Sequence, residues 1–246
     1  MPGFEWLTTR PIAHRGLHDV SSGIIENTRS AVSAAVAANY AVEVDLQITA
    51  DDQAMIHHDA VLGRLTSGEG RLDAVAADDL KRVAFKSTSD RMMELRDLLE
   101  LVAGRTALFL ELKSRFDGDV RLARRVTEAL RSYSGPVAVM SFDPRLVRAA
   151  KDLAPQVARG IVAERYSPPD DDEGSGKQDR FTYVVEAVRS RPHFIAYNVR
   201  HLPPPVPFLA RRVLGLKLLT WTVRNEADRL RALRFADQMI FEGFRP

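Results

Sequence analysis

Short apolar, β-branched runs alternate with longer amphipathic stretches along this chain. Eight of the runs read as strands: 11–15 (PIAHR), 41–49 (AVEVDLQIT), 107–113 (ALFLELK), 137–142 (VAVMSF), 158–164 (ARGIVAE), 194–199 (FIAYNV), 216–223 (LKLLTWTV) and 238–242 (QMIFE). Between most of them, apolar residues recur at helical spacing. One helix opens after Glu26 and Asn27 in NTRSAVSAAVAANY, and LRDLLELVAG stops on Gly104. DPRLVRAAKDLAP offers Asp143 as N-cap and Pro144 at the first helical position. Strands alternating with helices predict an α/β domain with a parallel sheet. Eight strands close a (β/α)8 TIM barrel, and 246 residues match the roughly 250 typical of that fold. An open doubly wound sheet is the alternative, weakened because no Gly-x-Gly-x-x-Gly follows the first strand.

The spacing is irregular in two places. The second and third strands start at 41 and 107, much further apart than the others. Residues 50–94, with the short run AMIHHD and the turn-rich GRLTSGEGRLD, are read as a cap inserted in the second βα loop of a single catalytic domain, 1–246. The sequence also leaves no room for an eighth outer helix after the last strand. SPPDDDEGSGKQDR (167–180) reads as a solvated loop. Its acidic run, residues 170–173, is contiguous, which does not match an EF-hand.

Barrel strands are apolar on both faces, so charges within them are informative. In AVEVDLQ, Glu43 and Asp45 share a face. In LFLELK, Glu111 and Lys113 share one. Both pairs lie toward the C-terminal strand ends, where active sites of this fold sit. Unpaired buried charge is costly. Lys113 can offset one of the three carboxylates, and a hard divalent cation such as Mg²⁺ or Ca²⁺ suits all three. The plainer alternative is that Glu111 and Lys113 simply pair with neighbouring charges.

Histidines flank this cluster: His14 ends the first strand, and His57 and His58 end the run inside the insertion. Imidazoles on one barrel rim suit a general acid and base near neutral pH. Arg15 and Lys113 add cationic donors suited to a phosphate, and Gly16 allows the turn after Arg15. Composition narrows the classes further. Lys+Arg 35 against Asp+Glu 33 gives +2, and no basic stripe interleaves with aromatics, which argues against nucleic acid. There is no cysteine, so thiolate metal sites and a cysteine nucleophile are excluded. No apolar run approaches a membrane span, and MPGFEWLTTRP lacks signal-peptide features. The expectation is a cytoplasmic enzyme with a small-molecule substrate.

The ordered segments AHRG (13–16), ENT (26–28), VEVDLQIT (42–49), HDAVLGRLT (58–66), LELK (110–113), SFDP (141–144) and TWTV (220–223) resemble the glycerophosphodiester phosphodiesterase family over nearly the whole chain. The resemblance implies a (β/α)8 barrel with a small insertion after the second strand. It also implies that His14 and His58, chosen over His57, are the acid–base pair. Glu43, Asp45 and Glu111 would ligate one divalent metal, commonly Mg²⁺ or Ca²⁺. Arg15 and Lys113 would contact the phosphate, Glu26 would support the substrate site, and Trp221 would line the alcohol end. The expected reaction is metal-dependent hydrolysis of glycerophosphodiesters to an alcohol and glycerol 3-phosphate. The family's route has the substrate's own hydroxyl attack first. Two rivals keep the fold: a lysophospholipase D-type enzyme and a non-catalytic barrel that binds phosphate compounds. One departure concerns the last strand. The family often ends it Ile-Thr-Asp, whereas here it reads Ile240, Phe241, Glu242, Gly243, which leaves the role of that rim open.

Overall fold

A computed structural model describes residues 3–165, 180–203 and 211–246. The strands are β1 (Ile12–Ala13), β2 (Ala41–Ile48), β3 (Ala54–Ile56), β4 (Leu108–Leu112), β5 (Val137–Ser141), β6 (Ala158–Ala163), β7 (Phe194–Asn198), β8 (Lys217–Val223) and β9 (Gln238–Phe241). Eight of them pair in parallel, and β1 pairs with both β2 and β9, so the sheet closes. Each of the eight predicted runs supplies one barrel strand. The extra strand is β3, antiparallel to the end of β2. The helices whose full extent is described are α1 (Arg29–Ala37), α2 (Ala77–Arg82), α3 (Leu95–Val102), α4 (Arg121–Ala129), α5 (Pro144–Leu153), α6 (Arg180–Arg189) and α7 (Glu226–Phe235), and residues 211–214 are also helical. The result is a (β/α)8 TIM barrel. Among the described residues no helix follows β9, and none is long and apolar enough to cross a membrane.

Local signals explain most boundaries. Asp143 caps α5 through the Arg145 amide, with Pro144 in the first turn. The start of α1 differs from expectation. Thr28 is the cap, accepting from the Ala31 amide at 3.3 Å, and Asn27 sits at φ 58°, outside any helix. Its side-chain amide is committed to Asp45 instead. Nearly all of the predicted loop 167–180 lies outside the described residues; Arg180 already begins α6.

The alternation along each strand divides the core into two layers. Ile12, Ala41, Phe109, Met140, Val162, Ala196, Leu219 and Ile240 fill the barrel interior. Ala13, Val42, Val44, Leu108, Leu110 and Phe241 face the helices. A 3-10 turn at Glu5–Thr8 plugs the N-terminal end with Leu7, which is fully buried. The insertion carries its own small core of Met55, Leu62, Leu72, Leu80, Phe85 and Met92. That satellite cluster packs one side of the insertion, while Ala54 and Ile56 of β3 and Met93 join the barrel's outer core.

Gly160 on β6 lies in register with Phe194 on β7, and a Cβ there would come 2.2 Å from the Phe194 ring. Gly160→Ala should therefore destabilise the fold by about 1–3 kcal/mol through overpacking. Adding Phe194→Leu should recover part of that loss in urea titrations. An additive double variant would show that the ring is not the obstacle.

His193 accepts from the Arg159 amide at 3.1 Å, and its ring contacts Phe4. Burial first, then the Arg159 charge, lowers its pKa to about 4. Between the ordinary 6.5 and about 4, the unfolded chain binds a proton that the native state does not. Stability should therefore fall as pH drops through that window. His193→Asn keeps an acceptor but does not titrate, so it should lose less stability between pH 7 and pH 5, as read by urea unfolding.

Candidate active site

The same alternation aims the charged strand residues at the barrel mouth. Glu43 and Asp45 follow Ala41 on the inner face of β2, and Glu111 follows Phe109 on β4. Register places Asp45 beside Glu111. All three carboxylates are buried, and one oxygen from each lies within 4.8 Å of the others. Lys113 reaches over them, with its Nζ 2.7 Å from Asp45 Oδ1 and 2.5 Å from Glu111 Oε1.

Arg15 approaches from the turn after β1. Its backbone amide donates to Glu43 Oε2 at 2.8 Å, its Nη1 donates to Glu26 Oε1 at 2.7 Å, and its Nε lies 3.2 Å from Asp45 Oδ2. The turn needs glycine at position 16. Gly16 has φ 79°, and a Cβ there would meet the Ala31 carbonyl carbon at 2.7 Å. Asn27 completes the shell around Asp45. It donates through Nδ2 to Oδ2 at 2.8 Å and accepts from the Asp45 amide at 3.2 Å.

Three carboxylates thus face two cations, and Arg15 is shared with Glu26. The imbalance falls on Glu43. Burial, then the charges of Asp45 and Glu111, push its carboxyl well above the usual range. Its Oε1 is buried with no hydrogen-bond partner. Asp45 goes the other way: burial opposes ionisation, but Lys113 and Arg15 outweigh it and hold the carboxyl low. Lys113 is likewise raised against burial by Asp45 and Glu111. An all-oxygen donor set with an orphaned, electrostatically crowded oxygen fits a hard divalent cation. Glu43, Asp45 and Glu111 are the residues that could hold it.

The two histidines arrive from different elements. His14 follows β1, with Nδ1 2.5 Å from Glu242 Oε2 and Nε2 3.9 Å from Glu43 Oε2. His58 follows β3, with Nδ1 2.8 Å from Asp59 Oδ1, and its backbone carbonyl accepts from Gln47 Nε2 at 2.8 Å. His57 points away. It is buried, only 1% exposed, with the parity of Met55, and burial lowers its pKa. Two cavities open here. One of about 310 Å³ is lined by both His14 and His58, the three carboxylates and Trp221. Trp221 stacks edge-on against Phe142 and donates its Nε1–H to the Ala196 carbonyl. The second cavity, of about 230 Å³, lies between the insertion and the loop after β4, against Asp73 and Arg115. The two share His58 and Lys113.

The sequence profile of the glycerophosphoryl diester phosphodiesterase family matches residues 14–243. The chain belongs to that family. Its members are phosphoric diester hydrolases. The glycerophosphodiester phosphodiesterase of Caldanaerobacter subterraneus is 25% identical over 238 residues, covering 93% of this chain and 91% of the relative. Among solved structures, a phosphodiesterase of Oleispira antarctica in complex with the product sn-glycerol-3-phosphate superposes with a TM-score of 0.78 at 20% identity, covering 96% of this chain and 93% of that one. The glycerophosphodiester phosphodiesterase of Thermotoga maritima gives 0.70 at 21% identity, over 94% and 92%.

All nine residues singled out from the sequence gather at one rim, with one qualification. Glu26 does not line either cavity. It sits behind Arg15 and is also bound by Arg64 Nη2 at 2.7 Å. Sequence reasoning misses four polar partners: Asn27, Asp59, Arg64 and Glu242. Asn27 and Asp59 stand inside the motifs ENT and HDAVLGRLT, next to Glu26 and His58. The last-strand motif leaves the role of Glu242 open, and nothing local points to its contact with His14, 228 positions away.

Proposed function

We propose that this chain hydrolyses glycerophosphodiesters, releasing an alcohol and glycerol 3-phosphate, with one divalent cation held by Glu43, Asp45 and Glu111. The observation that carries the reading is the unpartnered, fully buried oxygen of Glu43, a residue that lines the same cavity as both imidazoles. Mg²⁺ or Ca²⁺ suits the oxygen ligands. When bound, the cation supplies charge stabilisation to the phosphate oxygens. Lys113 and Arg15 add positive charge beside the same oxygens. His14 and His58 each carry a carboxylate at Nδ1, which leaves Nε2 free for the substrate. One imidazole takes the proton of the attacking oxygen, and the other gives one to the leaving alcohol.

The cavity geometry suits a diester. His58 and Lys113 lie at the junction of the two cavities, which is where a phosphorus bearing two substituents would place its centre. Trp221 and Phe142 wall one substituent, and the insertion walls the other. In this reading residues 50–94 act as a cap within one catalytic domain. A reducing, cytoplasmic setting suits a chain without cysteine.

The deciding experiment is release of glycerol 3-phosphate from glycerophosphocholine with and without chelator. Activity should disappear with chelator and return with Mg²⁺ or Ca²⁺. Full turnover in excess chelator, with no ion found by elemental analysis, defeats the metal assignment.

The histidines give a second check. His14→Ala and His58→Ala should each lower kcat by about 10²–10⁴-fold, the range of general acid–base catalysis. His57→Ala should change kcat far less. Equal losses at 57 and 58 would reverse the assignment between the neighbouring rings.

A further inference from the structure

Glu242 is the residue at the last strand's rim whose role the sequence leaves open. Its surroundings are specific. β9 is the strand that closes the barrel onto β1, with Ile12 opposite Ile240 and Ala13 opposite Phe241. The next rung therefore sets His14 beside Glu242. The His14 amide donates to the Phe241 carbonyl at 2.9 Å, and the Glu242 amide donates to the Val223 carbonyl on β8 at 3.0 Å, so both backbones are pinned. Glu242 Oε2 takes His14 Nδ1 at 2.5 Å, while Oε1 takes Arg224 Nε at 2.5 Å. His18 Nε2, buried and without a hydrogen-bond partner, lies 3.7 Å from the same Oε2.

We infer that Glu242 is a positioning residue for His14, holding the imidazole with its Nδ1 proton toward the barrel wall and its bare Nε2 toward the cavity. A carboxylate at one ring nitrogen fixes the tautomer and stabilises the imidazolium that forms when the other nitrogen accepts a proton. Arg224 orients the carboxylate in turn, giving a hydrogen-bonded chain Arg224–Glu242–His14. Burial opposes the Glu242 charge, but His14, His18 and Arg224 outweigh it, so the group stays ionised. The inference rests on His14 being a proton-transfer group, as proposed above.

The test separates positioning from mere bracing. Glu242→Gln keeps the size of the side chain and removes its charge. It should lower kcat by about 10²-fold, within the range a general acid or base contributes, with KM little changed. Glu242→Asp, which keeps the charge, should restore a substantial part of that loss. In a His14→Ala background, adding Glu242→Gln should cost nothing further, because residues that act as a unit are not additive. Proton NMR should show a low-field Nδ1–H resonance that is absent from both His14→Ala and Glu242→Gln. Additive losses, a loss of kcat that merely follows Tm across the variants, or a resonance indifferent to Glu242 would overturn the inference. If the wild-type protein cleaves no glycerophosphodiester, the substrate reading fails and the NMR comparison alone decides the pair.

Discussion

Barrel closure depends on a strand only two residues long. Ile12 and Ala13 pair with Ala41 and Val42 on one side and with Ile240 and Phe241 on the other. Two rungs, Ile12 with Ile240 and Ala13 with Phe241, join the two ends of a 246-residue chain. The interior ring of Ile12, Ala41 and Ile240 packs beneath them, so burial reinforces a seam that hydrogen bonds alone would hold weakly. Directly above the seam lies the candidate site. The first residue beyond β1 is His14, delivered between Glu43 on one neighbouring strand and Glu242 on the other. A one-residue slip in either pairing would turn these side chains to the opposite face.

The same rim concentrates negative charge that the fold only partly balances. Lys113 lies against Asp45 and Glu111, Arg15 is divided between Asp45 and Glu26, and Glu43 is left with a backbone amide and one bare oxygen. A protein selected for stability alone would gain by replacing such a cluster with apolar residues. Its presence in a cavity that two imidazoles also line is the physical reason to read the cluster as a place where a further positive charge belongs. The cost is contained because the surrounding strands bury well-packed apolar side chains on their outer faces.

Period-two alternation makes much of this legible from the sequence alone. In a barrel both strand faces should be apolar, so Glu43, Asp45 and Glu111 stand out, and shared parity already places Glu43 with Asp45. The strand positions are equally legible, because each run is short, β-branched and separated by helical spacing. Three things are not. Alternation alone does not choose between His57 and His58, although the family motif does, because that choice depends on which way β3 turns its faces, and so on the core around Met55 and Leu72. The onset of α1 is blurred because Asn27 reads as a helix starter but adopts φ 58° to serve Asp45. Glu242 is invisible as a partner because its contact is created only when the last strand meets the first. Local sequence carries propensity and parity, but not the register of a closure spanning the whole chain.

The insertion is tied to the barrel by one side chain in particular. Arg64 donates from Nε to Asp59 Oδ2 at 2.6 Å and from Nη2 to Glu26 Oε1 at 2.7 Å. Asp59 holds His58, and Glu26 holds Arg15, so one guanidinium spaces the cap's imidazole relative to the barrel's cation. Arg64 is about half exposed, with its side chain at 47%, and exposed ion pairs contribute little to stability. Its importance is geometric. The planar fork of arginine fixes two carboxylates at a set separation in a way the point charge of lysine does not. The insertion also reaches His58 through β3, which pairs with β2 and buries Ala54 and Ile56 in the barrel's outer core. Its own core keeps it folded, Gln47 anchors the His58 backbone, and Arg64 sets the remaining distance.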